Sequence, residues 1–278
     1  TGDQLALPWP ALGLPQSFTL VGANTNQDFT VPVPNGLTVT RLRGLIHAPI
    51  DFGRGFVEID DNRGQLLATV DLPAVAPESA VVPFDVDVSP GQATGTTMRL
   101  SFTVREAGVP PEQRCGLGEQ VQISDLSAVY AGIEPAPTTI AGFFPPVLQR
   151  LTIYTPIDAN SSEEQAALTL SAAMARLYRP QPTAITIVKQ PRGAAPPPAP
   201  ELSRAILVES GDAGLTVVNP DRADVYLKVS GRGNQLSGQA SLAVNGLQSL
   251  AQVSSARVEQ AGSAGGPDSD ELTFRDLN

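Results

Sequence analysis

Residues 143–180 read FFPPVLQRLTIYTPIDANSSEEQAALTLSAAMARLYRP, and this stretch decides the architecture. Leu151, Thr152, Ile153 and Tyr154 form a short β-prone run between Pro146 and Pro156, which predicts a strand over 151–154. A loop follows, and Ser161 then precedes Glu164 by three residues. That is capping-box spacing, in which a hydroxyl and a carboxylate each satisfy a free amide at a helix start. Ala167, Leu170, Met174 and Leu177 recur at helical spacing, so a helix is predicted over 162–178, stopped by Pro180. On the N-terminal side of this stretch strand signals stand almost alone. On the C-terminal side strand and helix signals alternate. Two architectures therefore meet near residue 145.

Working outward toward the N-terminus, Met98, Leu100, Phe102 and Val104 alternate with Arg99, Ser101, Thr103 and Arg105. A period of two marks a strand with one buried and one wet face. Val82, Phe84, Val86 and Val88 alternate with Pro83, Asp85 and Asp87 in the same way, and Pro83 suits an edge strand. Val57 and Ile59 lead into Asp60-Asp61-Asn62-Arg63-Gly64, a hairpin turn by composition, with a return strand from Leu66 to Leu72. The last strand, Val121 to Tyr130, changes phase near Ser124-Asp125, which predicts a bulge. Residues 105–119 read as a Gly- and Pro-rich loop carrying Cys115, and the first ten, with Pro8, Trp9 and Pro10, as an extended arm. Short strands without a convincing helix predict a β-sandwich or jelly roll over 1–134.

Toward the C-terminus, Pro135 and Pro137 begin a proline-rich joint, 135–149. Strands are expected at 184–188, 205–209, 215–218, 224–229 and 255–259, with a second helix over 234–250 carrying Leu236, Ala240, Ala243, Val244, Leu247 and Leu250 on one side. Alternating strands and helices imply a mainly parallel sheet, an open α/β domain over 150–260. Gly193-Ala194-Ala195-Pro196-Pro197-Pro198-Ala199-Pro200 replaces the crossover helix expected between its second and third strands and reads as a semi-rigid surface connection. Residues 261–271 are linker-like, and 272–277 read as the start of a further module.

Composition narrows the function. At 278 residues the chain suits two domains, and a net charge of −10 disfavours nucleic acid and anionic membrane surfaces, both of which require basic faces. No apolar run approaches the ~18 residues of a membrane span, and no N-terminal signal is present. The abundance of Ala, Gly, Pro and Val, with Lys189 and Lys228 the only lysines, reflects a high-GC genome rather than a function. Cys115 is the single cysteine, so no intrachain disulfide forms.

Catalytic constellations are scarce. His47 is the only histidine and no G-x-S-x-G elbow occurs, so a Ser–His–Asp triad has little to work with. Asp85 with Asp87, or Glu163 with Glu164, could supply paired carboxylates for glycoside hydrolysis, but the first pair reads as a wet strand face and the second as helix-dipole partners. Asp60, Asp61 and Asn62 lack the spacing of a calcium loop. The loop Pro156 to Ser161 lies where open α/β sheets hold phosphate, yet it carries Asp158 and no glycine. No catalytic, metal or cofactor residue is therefore assigned. The best binding candidate is Asp51-Phe52-Gly53-Arg54-Gly55-Phe56, where two rings and both charge signs fall within six residues. Asp51, Phe52, Arg54 and Phe56 are its candidate carbohydrate contacts, against the simpler reading of rings that cover one end of the sandwich.

The order of parts is familiar. Leu42-Arg43-Gly44 with Ala48-Pro49, Cys115 followed by Ile123-Ser124 and Ser127, Phe143-Phe144-Pro145-Pro146 ahead of Leu151-Thr152-Ile153, Val225 to Gly231 ahead of a helix, and Leu272 to Leu277 are together similar to segments of one family. The chain resembles the extracytoplasmic B-type accessory component of bacterial cellulose synthases, historically labelled cyclic-di-GMP-binding. The resemblance implies a carbohydrate-binding jelly roll followed by a flavodoxin-like domain. It further implies a periplasmic location, a membrane-anchored parent protein, a membrane-embedded glycan synthase as partner and the emerging glycan as ligand. It implies no catalysis by this chain. A nucleotide- or flavin-binding α/β enzyme and a stand-alone glycan-binding module are the alternatives.

Overall fold

The computed structural model describes residues 4–21, 25–48, 55–72, 81–91, 93–106 and 120–246. The chain divides into two compact units, Thr1–Ile133 and Glu134–Asn278.

In the first unit the strands are β1 (Gln4–Pro8), β2 (Ser17–Val21), β3 (Asn26–Pro32), β4 (Leu37–His47), β5 (Gly55–Asp60), β6 (Leu66–Asp71), β7 (Val81–Asp87), β8 (Thr97–Glu106) and β9 (Gln120–Gly132). One sheet has the order β1-β9-β4-β7, with β2 also paired to β9; the other has the order β3-β8-β5-β6. All of these pairings are antiparallel. From β2 to β9 this is jelly-roll winding, because β8 inserts between β3 and β5 while β9 inserts between β2 and β4. The alternation of Met98, Leu100, Phe102 and Val104 turns all four into the core. Phe18 of one sheet meets Phe29 and Phe102 of the other at ring-centroid separations of 4.6 and 5.1 Å, and the Tyr130 hydroxyl donates to the Pro32 carbonyl across the gap. The β9 bulge lies where its phase change placed it: Arg43 faces Ser127 and Leu45 faces Ser124, leaving Asp125 at φ 50°. β7, with Pro83, is an edge strand.

The extended arm is corrected. Gln4–Pro8 pairs with β9, and Trp9–Leu12 forms a 3-10 turn closed by Gly13 at φ 77°. Trp9 is fully buried against Phe18, Phe29 and Phe102. Proline fits an edge strand and the first positions of a helical turn, where no amide donor is required, so Pro8 and Pro10 permit this structure. Burial of the indole drives it.

The second unit contains β10 (Arg150–Pro156), α1 (Ser161–Leu177), β11 (Ala184–Gln190), β12 (Ser203–Ser210), β13 (Gly214–Val218), β14 (Tyr226–Gly231) and α2 (234–246). The sheet order is β11-β10-β12-β14-β13, parallel except for β13, which runs antiparallel to β14 at the edge. Leu151, Ile153, Ile206, Val208, Leu227 and Val229 pack on Ala166, Ala167, Leu170 and Met174 of α1 and on Leu236, Ala240 and Ala243 of α2. Gly231 takes β14 straight into α2: a Cβ there would lie 2.7 Å from the Leu236 amide nitrogen. Phe143, Phe144 and Leu148, expected in a joint, belong to this core, and Arg204, paired with Glu134, donates to the Phe143 carbonyl.

This departs from a regular flavodoxin-like arrangement. Among the described residues both α-helices lie on one face, and a hairpin strand closes one edge. Parallel crossovers are right-handed. β11 and β12 flank β10 on opposite sides, so the connection 191–202 must cross the face opposite α1. It does so without a helix, since Pro196, Pro197, Pro198 and Pro200 cannot supply helical amides. Pro196 is buried and Ala199 half-buried while Pro197, Pro198 and Pro200 stay exposed, and the connection ends in a turn in which Leu202, buried, adopts φ 56° and the Ser203 amide donates to the Pro200 carbonyl. Ala205, Leu207 and Tyr226 are buried on that face. Among the described residues no helix is long and apolar enough to cross a membrane. The expected strand 255–259, the 247–250 end of the second helix, and residues 261–278 lie outside the described residues.

Candidate functional site

Two places can bear on function: the outer face of the β3-β8-β5-β6 sheet and the crevice at the C-terminal ends of β10 and β12. Of the predicted carbohydrate contacts, Asp51, Phe52 and Arg54 lie outside the described residues. Phe56 opens β5 and is half-buried. Because Val57 and Ile59 point into the sandwich, Phe56, Glu58 and Asp60 point out of it. Their neighbours on β8 are Arg105, Thr103 and Ser101, and on β6 Asp71 and Thr69 lie beside Phe56 and Glu58. Arg105 pairs with Glu58 at 3.2 Å, and Arg99 pairs with Asp28 of β3. The result is a ring at one end of a polar sheet face rich in donors and acceptors.

Asp60 is the unusual acid of that face. Burial, the adjacent Glu58 charge and a hydrogen bond with Glu58 push its carboxyl up to about 6. In the folded state it holds a proton that the unfolded chain releases near its ordinary value. Stability is therefore greatest below that value and declines as pH rises through 6. Asp60→Asn removes this decline: the variant should be more stable than the parent at pH 7.5 and gain nothing at pH 3.5. Urea unfolding at both values checks this, and equal gains at both would contradict it. The turn that follows is the predicted hairpin. Asp61 Oδ1 accepts the amides of Arg63 and Gln65 at 2.8 and 2.9 Å, and Gly64 adopts φ 74°.

Asp85 and Asp87 form no acid–base pair. Asp85 lies between Arg41 (2.6 Å) and Arg43 (3.1 Å); partial burial raises its carboxyl, but hydrogen bonds from both arginines outweigh this and hold it low. Asp87 is held low by its bonds to Ser89. Glycoside hydrolysis needs one carboxyl kept protonated beside an ionised one, and here both are ionised. His47 is half-buried on the outer face of β4 between Gln122 and Val81, its Nδ1 buried without a hydrogen-bond partner. Cys115 lies outside the described residues.

The crevice corrects the capping prediction. The helix N-cap is Asn160 and its box partner is Glu163, one residue earlier than Ser161 and Glu164. Asn160 Oδ1 accepts the Glu163 amide at 2.9 Å, and Glu163 Oε1 accepts the Asn160 amide at 3.0 Å. Glu164 is exposed and pairs with Lys189 instead. What selects Glu163 is tertiary. Its fully buried carboxylate also accepts the Ser210 amide at 2.8 Å and takes both Arg192 Nη atoms, at 2.9 and 3.0 Å. Burial alone would raise this carboxyl; the Arg192 hydrogen bonds and the two amides outweigh it and hold the group at about 2. Arg192 reaches Asp158 as well, and Asn160 Nδ2 donates to Ser210 Oγ. Asn160 and Glu163 have capping spacing in the sequence, but nothing there marks Arg192 or Ser210 as their partners.

No protein-family model and no curated protein matches the sequence. Among solved structures, the chain is similar over 47% of its length to 24% of a glycoside hydrolase family 43 arabinoxylan arabinofuranohydrolase from Bacillus subtilis in complex with cellotetraose (13% identity, TM-score 0.29). It is similar over 41% of its length to 81% of a family 6 carbohydrate-binding module (6% identity, TM-score 0.28). It is similar over 47% of its length to 85% of CsCBM6-3 from Clostridium stercorarium in complex with cellobiose (7% identity, TM-score 0.27). Superposition at this level fixes neither a family nor a ligand for this chain.

Proposed function

We propose that this chain is a non-catalytic, extracytoplasmic part of a polysaccharide synthase or export complex, and that its jelly-roll unit holds the emerging glycan. The observation that carries the proposal is the order of parts: a jelly-roll unit, then a parallel sheet whose ligand crevice is filled by its own side chains. The jelly-roll unit at the start of that order supports the resemblance to the extracytoplasmic accessory component of cellulose synthases, while the second unit departs from the flavodoxin-like arrangement that the resemblance implies. The glycan lies on the outer face of the β3-β8-β5-β6 sheet, where the Phe56 ring stacks on a sugar and Glu58, Thr103 and Arg105 exchange hydrogen bonds with its hydroxyls. Asp51, Phe52 and Arg54, outside the described residues, are the further proposed contacts. A membrane-embedded glycan synthase is the partner, and the parent protein is anchored at the membrane.

Titration of cello-oligosaccharides and other glycans by calorimetry tests this. Phe56→Ala should weaken binding by roughly tenfold, the loss of about one aromatic contact of ~1.4 kcal/mol, without altering the unfolding midpoint by more than a few degrees. Binding to no glycan would overturn the proposal. A stand-alone glycan-binding module uses the same sheet face; failure to co-purify with the synthase while glycan binding persists would favour it. The filled crevice argues against the nucleotide- or flavin-binding enzyme.

A further inference from the structure

We infer that Glu163 is a built-in ligand: the crevice of the α/β unit is an anion cradle occupied by the protein's own carboxylate, and removing that carboxylate opens a site for small carboxylates or inorganic phosphate.

Open parallel sheets bind ligands outside the strand ends where successive connections leave in opposite directions. Here that point lies between β10, whose connection leads through α1 to β11, and β12, whose connection leads to β13 and β14. Donors converge there from three separate segments: the Asn160 amide from the loop after β10, the Ser210 amide from the end of β12, and both Nη atoms of Arg192 from the start of the proline-rich connection 191–202, the proline strap. All four point at one carboxylate, with Arg192 bidentate on it, the usual geometry for carboxylate and phosphate recognition. The carboxylate is held, fully buried, at contact distances of 2.8–3.0 Å. This is an anion site observed with an anion in it, and the anion is attached to α1 by its own side chain. A tethered group competes at high effective concentration with any free one. The native unit is thereby ligand-independent, and its sheet, α1 and strap are clamped at one point.

The test is thermal unfolding of Glu163→Ala in the full chain at pH 7 and constant ionic strength. Formate, acetate and inorganic phosphate are compared with chloride. Acetate or formate should raise the variant's midpoint saturably, by about 4 °C or more at a hundredfold excess over Kd, while the parent shifts no more than in chloride. Removing Arg192 as well, in Glu163→Ala/Arg192→Gln, should abolish the rise. If Glu163→Ala folds only when formate or acetate is added, that supports the inference equally. A folded variant indifferent to all three anions, or one that remains unfolded in all of them, overturns it. So does a parent protein whose midpoint rises with phosphate, ATP or FMN, because its crevice would then be open.

Discussion

Trp9→Ala is expected to cost about 4 kcal/mol, the range for deleting a large, fully buried aromatic side chain. Trp9 packs simultaneously on Phe18, Phe29 and Phe102, so its loss opens a cavity where both sheets of the jelly roll meet. Its Nε1 is buried without a hydrogen-bond partner, a polar group that contributes nothing to offset its own desolvation. Trp9→Phe keeps most of the apolar contact and deletes the orphan donor, so it should cost less than about 1.5 kcal/mol. Urea unfolding followed by circular dichroism ranks the two variants. In the parent, Trp9 is the only tryptophan, so its fluorescence reports the first unit alone. Equal costs for both variants would mean that the cluster is not held by ring packing.

Glu163→Ala is expected to destabilise the second unit by about 3 kcal/mol, the free-energy equivalent of a carboxyl moved from its ordinary 4.5 to about 2. The sign follows from the folded value being the lower one. The stabilisation is complete above about pH 5 and disappears as the pH falls toward 2, where the folded carboxyl takes up its proton. The parent should therefore lose stability across that window, and Glu163→Gln should show a flatter profile over the same range. The remaining Arg192 is partly exposed and rehydrates, which keeps the cost below that of stranding a fully buried charge. Matching acid profiles for parent and variant would show that other carboxylates dominate acid unfolding.

Much of this fold was legible because period alone distinguishes strand from helix. Met98 to Val104 announced a half-buried strand, Ala167 to Met174 a helix, and Ser124-Asp125 a bulge, each through local spacing that burial then enforces. The proline strap was legible as a non-helical crossover for the same reason: its residues lack the amides a helix requires. Local spacing misled where a neighbour distant in sequence decided. Ser161 with Glu164 and Asn160 with Glu163 satisfy the same capping rule equally well, and only Arg192 and Ser210, brought in by other strands, select Glu163. Trp9 looked like part of an arm because its partners are supplied by β2, β3 and β8. Among the described residues of the jelly-roll unit, Asp60 is the acid whose carboxyl is pushed up, by burial and by its neighbour Glu58 on the same sheet face, whereas the more conspicuous Asp85 is neutralised by arginines across the strand pair.

By itself the sequence determined a strand-built part followed by one in which strands and helices alternate, and a chain with a single histidine and a single cysteine, and it offered one candidate binding segment, Asp51 to Phe56. Tertiary structure alone decided which carboxylates are free, which are paired and which one fills the crevice. The division has a physical cause. Strand and helix periods arise from neighbours along the backbone, whereas a charge takes its character from whatever the fold brings within hydrogen-bonding reach.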